Sequence, residues 1–463
     1  MNTKKPSFGL SLIVLAALVA MMVVGFGIMR ITLQSLLFLV IVVICAISYI
    51  GGFKWKEIQD AMFAGLTRGL VAMSIMFLIG MIIGSWITAG TVPALIYYGL
   101  KILNPSIFLP AAFLICCVTS VATGTSWGSA GTVGLALMGI GTSMGMPAHI
   151  IAGAVVSGAF FGDKLSPLSD TTILASATAE CDIYKHMGAM ILTQGPAAVI
   201  ATIMYAVIGM KYAGGAFDPA SITLITDGLA DVFNINPIVL IPVVVLLGLS
   251  IAKVPSLPSM AAGILSAVVV AMIMQDVSFT QIMTNLFSGF KIESGIYEID
   301  KLLNRGGMSG MMGSIYTMII ALLMGGLLSD LGYMQTIVEN LLGKIKNVGT
   351  LITATICTGI FFQATTCNTM VSIILAGNAY KSAFDAKGLA RPMLSRCLEE
   401  GSTLSAGLIP WNTAGVYMAT TLGVATFSYL PFCFFNLINI GLSIVLSYLG
   451  IFVVKAKIEE AAK

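Results

Sequence analysis

Apolar runs of about 20 residues recur along this chain, each close to the length that crosses a hydrocarbon core of roughly 30 Å. They fall near residues 9–29, 32–52, 69–89, 106–123, 147–161, 188–210, 237–252, 257–275, 312–329, 349–363, 403–421 and 428–454. Hydrophobic residues make up 58% of the 463, charged residues only 9%, and the mean hydropathy is +1.00. A soluble fold of this length must turn much of its surface to water and cannot do so with this composition. In lipid, only helices and closed barrels satisfy their own backbone. Barrel strands would alternate over about 10 residues, and these runs do not alternate. The expected fold is therefore all-α and polytopic, with about 10–13 transmembrane segments.

The first run begins "MNTKKPSFGLSLIVLAALVA". A basic start before an apolar stretch is shared with signal peptides. No small-residue cleavage site follows, so the run is read as a first membrane helix. Lys4, Lys5, Lys54, Lys56 and Arg68 flank the first two spans, with only Arg30 between them. The positive-inside rule then places the N-terminus in the cytoplasm, and Lys455 and Lys457 place the C-terminus there too. The expected location is the cell (inner) membrane. A net charge of +3 without a basic block gives no reason to expect nucleic acid. Eight cysteines without CxxC spacing, and two histidines, His149 and His186, suggest neither zinc nor redox work. No HExxH or GxGD pattern supports hydrolysis in the membrane, so an enzyme and a resident cofactor are not expected.

An internal repeat organises the rest. "IGSWITAG" (83–90) lies on "MGGLLSDLG" (324–332) at an offset of 242 residues. "TGTSWGSAGT" (123–132) falls near "QATTCNTMVS" (363–372) at about 240, and "GDKLS" (162–166) on "GSTLS" (401–405) at 239. Transporters are often built from repeats inverted across the membrane, with broken or re-entrant helices meeting near the midplane. The expected organisation is N-terminal helices over 1–53, a first repeat over 54–210, linking segments over 211–275, a second repeat over 276–427 and a C-terminal helix and tail over 428–463. Polar stretches carrying Asp218, Asp227 and Asp231, and Lys291 to Arg305, read as solvated surface.

Four polar breaks interrupt the apolar pattern. The first, "TSVATGTSWGSAGT", offers Thr125 and Ser126 as hard oxygen donors suited to sodium. The second, "GDKLSPLSDTT" from Gly162, is the densest. Pro167 lacks an N–H, and Asp163, Ser166, Ser169, Asp170, Thr171 and Thr172 surround it with oxygens. A carboxylate inside a membrane protein marks an ion or proton pathway; the alternative is a wet loop with a helix cap. The third, "FFQATTCNTM", brings Gln363, Thr365, Thr366, Asn368 and Thr369. The fourth, "SRCLEEGSTLSAGLIPWNTAG", brings Glu399, Glu400, Asn412 and Thr413. Either glutamate suits an exchanged proton, since burial favours its neutral form; the alternative is an Arg396–Glu400 surface pair.

In this order the motifs resemble the NhaC-type sodium/proton antiporter family, within the wider ion-transporter superfamily. "GDKLSPLSDTT" is the most specific part, supported by "TGTSWGSAGT" and "PWNTAG". The resemblance spans nearly the whole chain. It implies secondary active transport, two inverted repeats, and an elevator-type motion against a dimeric scaffold. Sodium/proton antiport across the cytoplasmic membrane is the expectation. Asp163 or Asp170 would bind the two cations competitively, with Thr125, Ser126, Thr171, Thr172, Asn368 and Thr369 among the oxygens. The alternative is sodium- or proton-coupled movement of a small carboxylate, of malate/lactate type, or of an amino acid.

Overall fold

The computed structural model describes residues 5–213, 219–342, 345 and 347–456. Lys4, Asp218 and Lys457 lie outside them. The described residues are mostly helical, and among them eight helices are long and apolar enough to cross a membrane. Two bent pairs, Thr223–Val232 with Pro237–Ile251 and Thr426–Phe432 with Phe434–Tyr448, raise the number to ten. The first two spans, Phe8–Ile28 and Leu33–Ile50, are the most apolar and among the least buried, as lipid-facing helices should be.

Ten helices position the site. They are α1 (Pro105–Thr123), α2 (126–143), α3 (Ala148–Lys164), α4 (Asp170–Thr178) and α5 (Ile183–Ala213) in the first half. In the second half they are α6 (Val348–Thr366), α7 (Thr369–Ala386), α8 (391–406), α9 (Thr413–Leu422) and α10 (Phe434–Tyr448).

The same local chemistry recurs 243 residues apart. Asn104 caps α1 and Asn347 caps α6, each side chain accepting a backbone N–H of the first turn. α1 ends on Gly124 and α6 on Cys367, both left-handed. Thr125 then caps α2, and Asn368 caps α7. Ser169 caps α4, and Asn412 caps α9. Glu180 and Gly423 are left-handed just beyond them. The helix contacts repeat as well. A Cβ on Gly158 would lie 2.3 Å from the Phe113 carbonyl; one on Gly401 would lie 2.4 Å from that of Ile356. Both glycines let α3 and α8 close onto α1 and α6.

This register corrects the one read from "GDKLS" and "GSTLS". Gly401 pairs with Gly158, not Gly162, so Ala406 and Gly407 stand opposite Asp163 and Lys164. Short identical strings slipped by four residues, one helical turn, because both helices present small residues at that spacing. The halves interlock: α4 packs on α7, and α9 packs on α2.

Candidate functional site

α3 is buried along nearly its whole length, and it ends in charge. Lys164 is fully buried, and Asp163 is 6% exposed. Gly162 makes this approach geometrically available, since a Cβ there would lie 2.3 Å from the Cys117 carbonyl. Pro167 and the Ser169 cap then turn the chain into α4.

Lys164 is the hub. Its Nζ donates to Asp163 Oδ2 at 3.0 Å and to Thr171 Oγ1 at 2.7 Å. It also lies 3.2 Å from Glu399 Oε2, on a side chain that is fully buried. Ser126 Oγ donates to the same Asp163 oxygen at 2.9 Å. Thr172 Oγ1 donates to the Asp163 carbonyl at 3.2 Å, and Ser169 and Thr171 share a hydroxyl contact at 3.1 Å. Glu399 opens a π-helical turn, Glu399–Thr403, inside α8. Such turns re-aim side chains and are frequent at functional sites. One ammonium thus joins the two halves through two carboxylates.

The structure sorts the candidates. Asp163, Ser126, Ser169, Thr171, Thr172 and Glu399 come together around Lys164. Asp170 does not; it opens α4 on an exposed position. Thr125 accepts the Gly128 N–H as the cap of α2, and Ser166 accepts that of Leu168. Glu400 points elsewhere, accepting from Thr193 at 2.7 Å and Ser443 at 2.6 Å. Its Arg396 partner lies at 3.6 Å, and both are buried rather than on a surface.

The second break closes on itself. Gln363 Nε2 donates to Thr369 Oγ1 at 2.8 Å and to the Ser402 carbonyl. Asn412 Nδ2 donates to Gln363 Oε1 at 2.8 Å. Thr413 Oγ1 donates to the Cys367 carbonyl at 3.2 Å, and Thr366 Oγ1 to that of Asn368 at 3.2 Å. Thr365 bonds back to Phe361, and Asn368 accepts the Val371 N–H. These residues brace a broken helix. Tyr417 joins this break to the first: its ring stacks on Trp127 at 4.1 Å and its hydroxyl donates to the Trp127 carbonyl.

The family model for the Na+/H+ antiporter family matches residues 2–187 and 158–451. The chain belongs to that family. It is 40% identical over 402 residues to the malate-2H+/Na+-lactate antiporter of Bacillus subtilis (strain 168), covering 87% of this chain and 86% of that one. It is 36% identical to the arginine/ornithine antiporter ArcD of Halobacterium salinarum, over 96% of this chain and 93% of that one. It is 34% identical to the Na+/H+ antiporter NhaC of Alkalihalophilus pseudofirmus, over 97% of each. With its apolar spans, this family member is an integral, multi-pass membrane protein.

Sequence reasoning named the carboxylates of this family member but not the cation between them. Lys164 was visible inside "GDKLSPLSDTT" as a lysine beside a bilayer-length apolar run. A buried lysine needs a partner, and that signal was available without a structure. The turn that brings Glu399 to it was not.

Proposed function

We propose that this protein is a sodium/proton antiporter in which the two cations compete for the Asp163–Lys164–Glu399 cluster. The sharing of one buried ammonium by two buried carboxylates carries this reading. With all three groups ionised, the cluster holds one net negative charge. Isolated charge away from water is costly. One sodium ion or one proton restores neutrality, and the two cannot both do so at once. A carrier whose cluster must be neutral to move therefore crosses loaded with one or the other, which is exchange. Asp163, Ser126, Ser169 and Thr171 supply hard oxygens for sodium, and Lys164 must yield its place on them. Glu399 holds the proton in the alternative state.

The two halves, related by the 243-residue correspondence, are read as inverted repeats, 54–210 and 276–427, moving against a scaffold that a homodimer would provide. Both termini are read as cytoplasmic from Lys5, Lys54, Lys56, Arg68 and Lys455. The test is sodium flux driven by a pH gradient in proteoliposomes. Sodium-independent proton movement, or no coupled movement, would overturn the reading.

A second reading has its own support. Lys164 is also a counter-ion for an organic carboxylate, and relatives named for malate, lactate, arginine and ornithine share most of this chain. Uptake of labelled malate, lactate and arginine, with and without a sodium gradient, separates the two.

A further inference from the structure

One of the two histidines is fully buried, and nothing above uses it. His186 lies in the first turn of α5, and its Nδ1 is 2.7 Å from Ser395 Oγ on α8. Ser395 Oγ donates to the Pro392 carbonyl at 3.0 Å, so its oxygen is left to accept from Nδ1–H. In the tautomer with Nδ1 protonated, which this arrangement accommodates, Nε2 carries a lone pair. Nε2 has no hydrogen-bond partner among the described residues.

Two further positions give this lone pair a use. Ser395 stands four residues before Glu399, so the two side chains are neighbours on one face of α8, with about 5–6 Å between their Cβ atoms. Glu399 Oε1 accepts no hydrogen bond among the described residues. On the other side, half-buried Cys181 donates to Ser395 Oγ at 3.4 Å, next to the exposed turn at Glu180. Ser395 thus contacts both His186 and the turn residue Cys181, and it lies one helical turn before the cluster's buried Glu399.

We infer that His186, oriented by Ser395, carries protons between the turn at 180–182 and Glu399. A proton binds the Nε2 lone pair and forms imidazolium. The same N–H bond then breaks as the proton passes to a Glu399 oxygen, and neutral imidazole returns. No electrons are exchanged, and sodium does not use this route.

The charged and titratable groups around this helix are few. Tyr184 and Lys185 precede His186 on α5 itself, with Tyr205, Lys211 and Tyr212 farther along, and Glu180, Cys181 and Asp182 lie on the turn before it. α8 presents Arg391, Arg396, Cys397, Glu399 and Glu400; α3 presents His149, Asp163 and Lys164; α4 presents Asp170. α1 offers only Cys116 and Cys117, and α10 only Tyr448. His149 is accounted for, packed against Phe432 at 5.0 Å between ring centroids.

This inference rests on the antiport reading, and one experiment separates their failures. Full-length protein in proteoliposomes is assayed for pH-gradient-driven sodium flux as wild type, His186→Ala and His186→Gln. Wild type without coupled flux defeats the antiport reading. With wild type active, His186→Ala is expected to slow exchange at least about 100-fold, the low end of what a positioned acid–base group contributes. The sodium concentration giving half-maximal rate should stay within about two-fold, since the lost group is not a sodium ligand. Added imidazole should restore rate in His186→Ala, more so as its neutral fraction rises. His186→Gln keeps a side-chain amide for Ser395 but holds no proton, and should stay slow. Full activity in either variant overturns the inference. So does a loss in His186→Ala that imidazole leaves untouched, which is what a purely structural histidine would give.

Discussion

The two broken helix pairs share a plan and differ in what fills it. In the first half Ser120 Oγ donates to the Ala159 carbonyl at 2.6 Å. In the second, 243 residues on, Gln363 Nε2 donates to the Ser402 carbonyl. The bond is the same, tying α1 to α3 and α6 to α8. Beyond it the halves part. The longer Gln363 amide also reaches Thr369 and receives Asn412, so the second break is saturated by neutral groups. The small Ser120 leaves the first break room for Asp163 and Lys164. One half is a brace and the other a charge site. The brace lends a single residue, Glu399, to that site.

The difference can be broken from either side, and the largest effect is expected at the hub. Lys164→Met leaves two buried carboxylates without their cation. Breaking such a pair costs about 3–5 kcal/mol. The detergent-solubilised variant should lose thermal stability by that order and show no coupled sodium flux. An unfolding midpoint equal to wild type would mean that Lys164 is not the electrostatic centre.

Asp163→Asn is close in size without adding a stranded charge. It keeps an acceptor for Ser126 and Lys164 but removes the charge that draws sodium. Sodium-dependent thermal stabilisation should vanish, because a ligand stabilises only the state it binds. An unchanged sodium response would transfer the site to another carboxylate.

Gln363→Ala tests the brace. It removes the amide that bonds the Thr369 hydroxyl and the Ser402 carbonyl, while Asn412 Nδ2 keeps its bond to the residue-363 backbone carbonyl; each buried loss is worth about 1–3 kcal/mol. Stability should fall by that order while the sodium concentration for half-maximal flux moves less than about two-fold. A ten-fold shift in apparent sodium affinity would make the second break part of the binding site.

The smallest effect is expected at Asp170→Asn. The carboxylate is exposed at the start of α4, outside the Lys164 cluster. Surface charges of this kind typically contribute within about 1 kcal/mol. Flux and sodium response should remain near wild type, and abolished exchange would show that Asp170 joins the site in another state of the cycle.

Much of this was legible in the chain. Apolar length announced the membrane, and glycine, proline and hydroxyl breaks announced where helices stop. Asp163 was visible as a carboxylate that lipid would not tolerate alone. The spacing of matching strings pointed to the recurring caps and contacts, although it misplaced their register by one turn. The sequence grouped Asp170 with Asp163 because they share a motif; in the structure Asp163 bonds Lys164 directly, while Asp170 takes an exposed position at the start of α4. The sequence's alternative for Glu400, a surface pair with Arg396, does not hold, since both are buried.

The sequence by itself determined the solvent of this protein, its helical class and its membership of a transport family. Each follows from composition or local pattern, because lipid forces every span to satisfy its own backbone. Only the tertiary structure decided that Lys164 is shared between Asp163 and Glu399, and that His186 meets Ser395. Those partners lie 235 and 209 residues away in sequence. No local pattern encodes such pairings. They arise where α3, α5 and α8 pack, and the cost of burying charge selects the partners.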